Sequence, residues 1–133
     1  MQFKIDNASE KAVYQQIVDQ VRRQVALGRI AAADKLPTVR ELASELVINP
    51  NTIAKAYKQL EQEGIITTRP GVGTFIADST STLSLNVKKK ILQEKLEDIF
   101  VDAVHMQFDK KMLKELFEQT ADKFESGRIK GQK

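Results

Sequence analysis

Apolar residues recur at helical spacing in the first part of the chain. A series of β-branched side chains four residues apart predicts an amphipathic helix, and it consists of Val13, Ile17, Val21 and Val25. Ser9 is a plausible N-cap for this helix, and Gly28 is expected to end it. A loop of small residues, 30–35, then leads to the next element.

Two further helices are predicted close together. Thr38 and Glu41 form a capping box, in which side chain and backbone amide satisfy each other, so a short helix begins here. Asn49 and Pro50 mark the start of another helix. Asparagine caps a first turn, and proline at the first helical position lacks only an N–H that would be unpaired there. We expect this helix to reach Glu63.

A hairpin follows the third helix directly. Residues 65–68 and 74–77 are rich in β-branched and aromatic side chains, which predicts two strands. The connection Arg69-Pro70-Gly71-Val72-Gly73 contains two glycines, as a tight turn requires. Helix, turn, helix and hairpin in this order form a winged helix-turn-helix. Such a unit presents its second helix to the DNA major groove and its hairpin tip, the wing, to the flanking backbone.

The pattern changes after the hairpin. Residues 78–82 (DSTST) form a polar linker, and apolar residues at helical spacing then predict two helices, the second capped by Asp109. We therefore expect four regions: a winged helix-turn-helix over 1–77, the linker, a helical tail over 83–125, and a flexible C-terminus over 126–133. The predicted fold class is mainly α with a small β-hairpin.

Composition narrows the class of protein only slightly. With 133 residues, 41% hydrophobic and 29% charged, the chain suits one domain, or one small domain with an appendage. The absence of cysteine excludes disulfides and thiolate metal sites. No signal-peptide pattern begins the chain, and no apolar run approaches the roughly 18 residues of a membrane span. We expect a cytoplasmic protein without a membrane partner.

Net charge and candidate catalytic residues narrow the class of protein only slightly further. The formal net charge of +3 is only mildly basic, so the case for nucleic-acid binding depends on where the basic residues lie. His105 is the only histidine, whereas a metal site needs several convergent ligands. The sequence contains neither a Ser/His/Asp grouping nor a phosphate-binding glycine loop. We expect no enzymatic activity, no metal and no cofactor.

Several motifs together resemble the GntR family of bacterial transcription regulators. They are Tyr14-Gln15-Gln16-Ile17, Gly28, residues 36–43 (LPTVRELA), Asn49-Pro50-Asn51-Thr52, residues 56–60 (AYKQL), Gly64, Arg69, Gly71 and Gly73-Thr74-Phe75. The short helical tail resembles the YtrA-type subfamily. That resemblance implies a tail that chiefly forms a dimer, and regulators that commonly repress operons including ABC transporters.

The resemblance implies DNA contacts by Arg40 and by the start of the third helix. Asn51 and Thr52 lie there. Asparagine can pair with adenine, and threonine can contact a thymine methyl group or a phosphate. Alternatively, one of the two residues only supports the start of the helix. Pro50 replaces an arginine that some other members carry, so we do not expect a guanine contact from this position. Lys55 and Lys58 are expected to reach phosphates, as is Arg69, while Gly71 and Gly73 allow the wing to approach DNA closely.

The tail supplies the expected assembly surface. Its apolar residues are too many for two isolated helices to bury, and they include Leu92, Leu96, Ile99, Phe100, Val104, Leu113, Leu116 and Phe117. We therefore expect a homodimer that binds double-stranded DNA at an inverted repeat. A winged helix that docks proteins, without an operator, is the alternative. The sequence does not identify an effector.

Overall fold

The computed structural model describes residues 1–78 and 85–131. It is mainly helical with one small sheet, which confirms the predicted fold class. The elements are α1 Val13–Ala26, β1 Lys35–Leu36, α2 Val39–Leu46, α3 Pro50–Gln62, β2 Ile66–Arg69, β3 Gly73–Ile76, α4 Leu85–His105 and α5 Lys110–Gly131. Two compact units are present. One comprises residues 1–78 with the end of α5 from Phe124, and the other comprises residues 85–123.

The sheet has three strands rather than the predicted two. It is antiparallel in the order β1-β3-β2, with Lys35 opposite Phe75 and Ile66 opposite Ile76. The prediction that Lys35 lies in a loop was wrong. A strand of two residues has no periodicity to detect, and it forms because the outer edge of β3 offers unpaired backbone groups.

The core of the first unit lies where α1, α2 and α3 meet the sheet. Side chains with almost no exposed surface pack there, among them Ile17, Val21, Leu42, Ile53, Leu60 and Ile66. The apolar stripe predicted for the first helix therefore faces the core through Ile17 and Val21. This packing fixes α3 against α1 and leaves the opposite side of α3 in solvent.

Helix α1 begins at Val13, four residues after the N-cap predicted at Ser9. The actual cap position is Ala12, which has no capping side chain, while Ser9 Oγ accepts a hydrogen bond from the Lys11 N–H at 3.1 Å. Gln16 accounts for the difference, because its buried amide hydrogen-bonds to the backbone of Asp6 and of Lys11. These bonds hold the preceding residues in a turn rather than in the helix.

Both caps predicted within the helix-turn-helix are present. Thr38 Oγ1 accepts a hydrogen bond from the Glu41 N–H at 3.1 Å, and Asn49 Oδ1 accepts one from the Asn51 N–H at 2.8 Å. Between the two helices, Val47 adopts a left-handed conformation with φ of 56° and is 90% exposed. A β-branched residue is strained in this conformation. Val47 ends α2 after Leu46, and α3 begins at Pro50, three residues after Val47.

In the second unit, α4 and α5 are joined by a short turn in which Gln107 has φ of 60°. Asp109 caps α5 as predicted, since its Oδ1 accepts the Met112 N–H at 2.9 Å. The α5 backbone is helical to Gly131, so the end of the helical tail predicted at residue 125 falls too early. Residues 79–82 of the predicted linker lie outside the described residues.

Candidate nucleic-acid interface

The solvent side of α3 carries the polar and basic residues singled out from the sequence. Asn51, Lys55 and Lys58 are exposed, and Thr52 is half-buried. The opposite side is buried through Ile53, Ala56, Tyr57 and Leu60. Asn51 therefore offers its side-chain amide to solvent from the first turn, while its backbone N–H is already bonded to the cap Asn49.

Lys55 makes a contact that a helical wheel does not predict. Its ammonium lies over the ring of Tyr14, 4.0 Å from the ring centre. A cation at this distance is attracted by the negative face of the aromatic ring. Tyr14, on α1, thus holds the lysine in place beside the exposed side of α3.

The start of α2 is joined to α3 by a part-buried hydrogen bond. The Tyr57 hydroxyl donates to the Pro37 carbonyl oxygen at 2.7 Å. Burial, with a smaller contribution from the negative charge of Glu41, raises the pKa of Tyr57 well above its ordinary value. Because Pro37 lies just before α2, this bond fixes the first turn of α2, where Arg40 is exposed.

The wing joins β2 to β3 through residues 70–72. The Val72 N–H donates to the Arg69 carbonyl oxygen at 3.0 Å and closes the turn. Gly71 has φ of 75° and Gly73 has φ of 145°, values that L side chains rarely adopt. The Arg69 guanidinium lies 5.2 Å from the centre of the Phe75 ring. The backbone conformation thus favours glycine at both positions, apart from any approach to DNA.

The cations of this surface are not consumed by internal ion pairs. Within the part of the chain that the structure describes, the ion pairs are Lys11–Asp19 at 2.7 Å and Arg22–Glu63 at 3.7 Å. Neither pair includes Arg40, Lys58 or Arg69. Basic groups that stay uncompensated at a surface are suited to bind an anionic partner.

Two residues beside this surface were not predicted as candidate contacts. Tyr14 belongs to a recognised motif, but its position under Lys55 depends on how α1 packs against α3. Lys35 lies on β1, which the sequence does not predict, and its side chain passes along Gly73. No periodic signal reveals either position, because both contacts depend on tertiary packing.

The second unit presents a mostly apolar surface. Six of the eight residues predicted for assembly line a groove between α4 and α5 with a volume of about 500 Å³: Leu96, Ile99, Phe100, Leu113, Leu116 and Phe117. Leu92 and Val104 are exposed as well. Only Leu113 of the eight is half-buried. Exposed apolar area on this scale is unusual for a monomer.

Neither a metal-binding cluster nor a membrane-spanning helix accompanies these two surfaces in the described part of the chain. Among the described side chains, no group of three His, Asp or Glu residues is placed to hold a metal ion. Within residues 1–78 and 85–131, no helix combines the length and the apolar character needed to cross a bilayer.

A capped helix with an exposed polar and basic side, next to a glycine-containing wing, defines a winged helix-turn-helix DNA-binding domain. Residues 13–76 match the family model described as bacterial regulatory proteins, gntR family. The HTH-type transcriptional repressor YtrA of Bacillus subtilis (strain 168) is 42% identical over 101 residues, which cover 76% of this chain and 78% of that protein. The chain therefore belongs to the GntR family of transcription regulators, and its similarity to YtrA agrees with the subfamily resemblance.

Solved structures extend the likeness to both units. A crystal structure described as a transcriptional antiterminator from Listeria monocytogenes EGD-e matches with a TM-score of 0.79 at 34% identity, covering 93% of each chain. AraR(DBD) in complex with an operator matches with a TM-score of 0.51 at 25% identity, covering 58% of this chain and 96% of that one. A related winged helix thus binds operator DNA.

Proposed function

We propose that the protein is a sequence-specific transcriptional repressor that acts in the cytoplasm and binds an inverted-repeat operator as a homodimer. The observation that carries the proposal is the exposed polar and basic side of α3, which begins in the capped first turn of that helix. The names of YtrA and of AraR(DBD) with its operator support repression and DNA binding. A transporter operon is the target class that the YtrA-type resemblance implies.

Each residue has a specific role in the proposal. Asn51 reads a base, because its amide is exposed at the start of α3, whereas half-buried Thr52 supports the first turn or meets a phosphate. Lys55 and Lys58 bind phosphates beside the major groove. Arg40 makes a further contact from α2, and the wing contributes Arg69, Gly71 and Gly73.

The two parts of the chain have different roles in the proposal. Residues 1–77 bind DNA, and residues 83–125 hold two subunits together through the groove between α4 and α5. One α3 helix contacts only a few base pairs, which is too little for selectivity in a genome. Two subunits related by a twofold axis double the contacts, and they require half-sites about one helical turn apart or a multiple of it.

A salt titration of the full chain tests DNA binding. Fluorescence anisotropy is measured with its upstream promoter DNA and with random DNA of equal length and composition, from about 50 to 200 mM salt. We expect tight, steeply salt-dependent binding that favours the promoter. Binding to neither DNA would leave protein docking as the function of the winged helix.

Two variants separate base reading from phosphate binding. Asn51→Ala is expected to weaken binding by about 1–3 kcal/mol, concentrated at one base pair of the operator. Lys58→Ala is expected to weaken binding to all sequences alike and to lower the salt dependence. Lys58 is a cleaner choice than Lys55, whose ammonium also contacts Tyr14. Equal losses on operator and random DNA for Asn51→Ala would remove Asn51 as a base reader.

A further inference from the structure

The outer side of the small sheet carries a cluster of side chains, and only some of its residues are among the DNA contacts named above. Side chains alternate between the two sides of a strand, and Leu36, Thr74 and Ile76 point into the core. Lys35 and Phe75, which lie opposite each other in the register, therefore point outward. We call this surface the outer wing face, formed by Lys35, Thr67, Arg69, Gly73 and Phe75.

Two cationic side chains lie on this face, and one of them contacts its aromatic ring. The Arg69 guanidinium lies 5.2 Å from the centre of the Phe75 ring. A Cβ atom placed on Gly73 would lie 2.8 Å from Lys35 Cε, 3.5 Å from Lys35 Nζ and 3.7 Å from Phe75 Cε2. The end of the lysine side chain thus lies beside the glycine, at the base of the wing, where Gly73 pairs with Arg69.

The nearby carboxylates are directed elsewhere. Asp34 Oδ2 accepts the Ala31 N–H at 2.8 Å and so faces its own loop. Glu61 Oε2 lies 3.5 Å from Thr68 Oγ1, and Thr68 pairs with Thr74, whose side chain is on the inner side of the sheet. The outer wing face is therefore cationic, with an exposed ammonium at Lys35 and an exposed guanidinium at Arg69.

The position of Lys35 in the chain links the two parts of the interface. It lies two residues before Pro37, which Tyr57 fastens to α3, and five residues before Arg40. Its side chain reaches the wing, while its backbone leads into the helix-turn-helix. A cation at this junction is placed to meet the DNA backbone between the contacts expected from α2 and from the wing.

We propose that Lys35 is a further DNA-binding residue, whose ammonium beside Gly73 binds a backbone phosphate adjacent to the one bound by Arg69. The proposal rests on the proposed function, since it assigns a new contact to the same DNA. It also explains the glycine at position 73 in a second way, because any side chain there would displace the ammonium from the base of the wing.

The test is the salt dependence of binding by full-length Lys35→Met, which keeps the unbranched side chain and removes the charge. Loss of one phosphate contact lowers the slope of log K against log salt by about 0.9 for each bound subunit. The affinity ratio of wild type to variant then narrows roughly 3.5-fold per bound subunit between 50 and 200 mM salt. The loss is expected to be equal on promoter and random DNA, with an unchanged melting temperature.

Two companion variants complete the experiment. Lys35→Arg keeps the charge and is expected to restore the wild-type slope. Arg23→Gln removes one exposed charge next to Arg22, which pairs with Glu63 at the far end of α3, and is expected to leave the slope unchanged. Lys35→Gln repeats the measurement if the methionine variant melts early.

The outcomes separate this inference from the proposed function. A wild-type slope in both Lys35→Met and Lys35→Gln, with wild-type protein that binds DNA steeply, overturns the role of Lys35 alone. A loss confined to promoter DNA also overturns it, because a phosphate contact does not depend on sequence. If the wild-type protein binds neither DNA, the proposed function itself fails.

Discussion

At the scale of single residues, the Tyr57 hydroxyl joins the start of α2 to α3. We expect Tyr57→Phe to lower the free energy of unfolding by about 1 kcal/mol, since the Pro37 carbonyl loses its donor. Urea denaturation near neutral pH measures this change. Because Arg40 lies on the turn that the bond fixes, DNA affinity is expected to fall as well.

The same variant has a defined pH dependence. Burial raises the pKa of Tyr57 above its ordinary value of 10.0, so the folded protein holds the phenolic proton more tightly than the unfolded chain. The contribution of the protonated Tyr57 to the free energy of unfolding is complete below pH 10.0. It is lost as the pH rises above that value. The difference in stability between wild type and Tyr57→Phe should therefore shrink above about pH 10. Tyr14→Phe controls for loss of a phenol elsewhere, and a constant difference to about pH 11 would contradict the prediction.

The residues of α3 expected to contact DNA were named from the sequence, but their contacts within the protein were not. Asn51 and Lys58 are exposed as the spacing requires. Thr52 is half-buried, and the Lys55 ammonium lies over Tyr14. The Lys55 contact depends on the packing of α1 against α3, which a pattern within one element does not contain.

At the scale of elements, the wing offers a test in which the free protein is almost unaffected. A Cβ atom on Gly71 would have nothing within 4 Å, although φ is 75°. Asparagine tolerates this conformation better than other residues with side chains. We expect Gly71→Asn to leave the melting temperature within a few degrees of wild type, yet to weaken DNA binding about tenfold or more if the wing lies against the backbone, a loss of about 1.4 kcal/mol. Thermal melting and fluorescence anisotropy measure the two effects.

Val72→Asn is the matched control, because Val72 is an exposed neighbour on the same turn. An equal loss of DNA affinity for both variants would mean that any larger side chain at the wing tip clashes with DNA. Position 71 would then have no particular requirement for glycine in binding. Full binding by Gly71→Asn would instead remove the wing tip from the interface.

Elements with chemical signals at their ends were predicted best. The caps of α2, α3 and α5 agree with the sequence because Thr38, Asn49 and Asp109 make local hydrogen bonds. Strand β1 and the start of α1 were missed because non-local partners determine them: β3 pairs with Lys35, and the Gln16 amide holds Asp6. The cluster around Lys35 was missed for the same reason.

At the scale of the whole molecule, the tail presents apolar surface that a second copy can cover. Phe100 is 50% exposed, Phe117 is 61% exposed, and both line the groove between α4 and α5. Lys110, Lys114 and Glu118 also line the groove. An apolar centre with a charged rim is the usual composition of a protein interface, and charges of both signs suit a surface that pairs with a copy of itself.

Dimerisation through this groove predicts that a charge placed in it separates the subunits. We expect wild type to be a dimer in sedimentation equilibrium and Phe117→Glu to be a monomer, because a carboxylate cannot be buried in an apolar interface without a partner. The monomer should keep its helical circular dichroism and lose affinity for the full operator far more than for a single half-site.

Val72→Glu adds the same charge to an exposed valine outside the tail and should remain a dimer. A fragment ending at Asp78 is expected to fold, since the residues of the N-terminal core lie between Phe3 and Ile76. It is expected to be monomeric, since it lacks the tail. Dimers of Phe117→Glu, or of that fragment, would contradict assembly through the tail and would place the twofold axis within the winged helix instead.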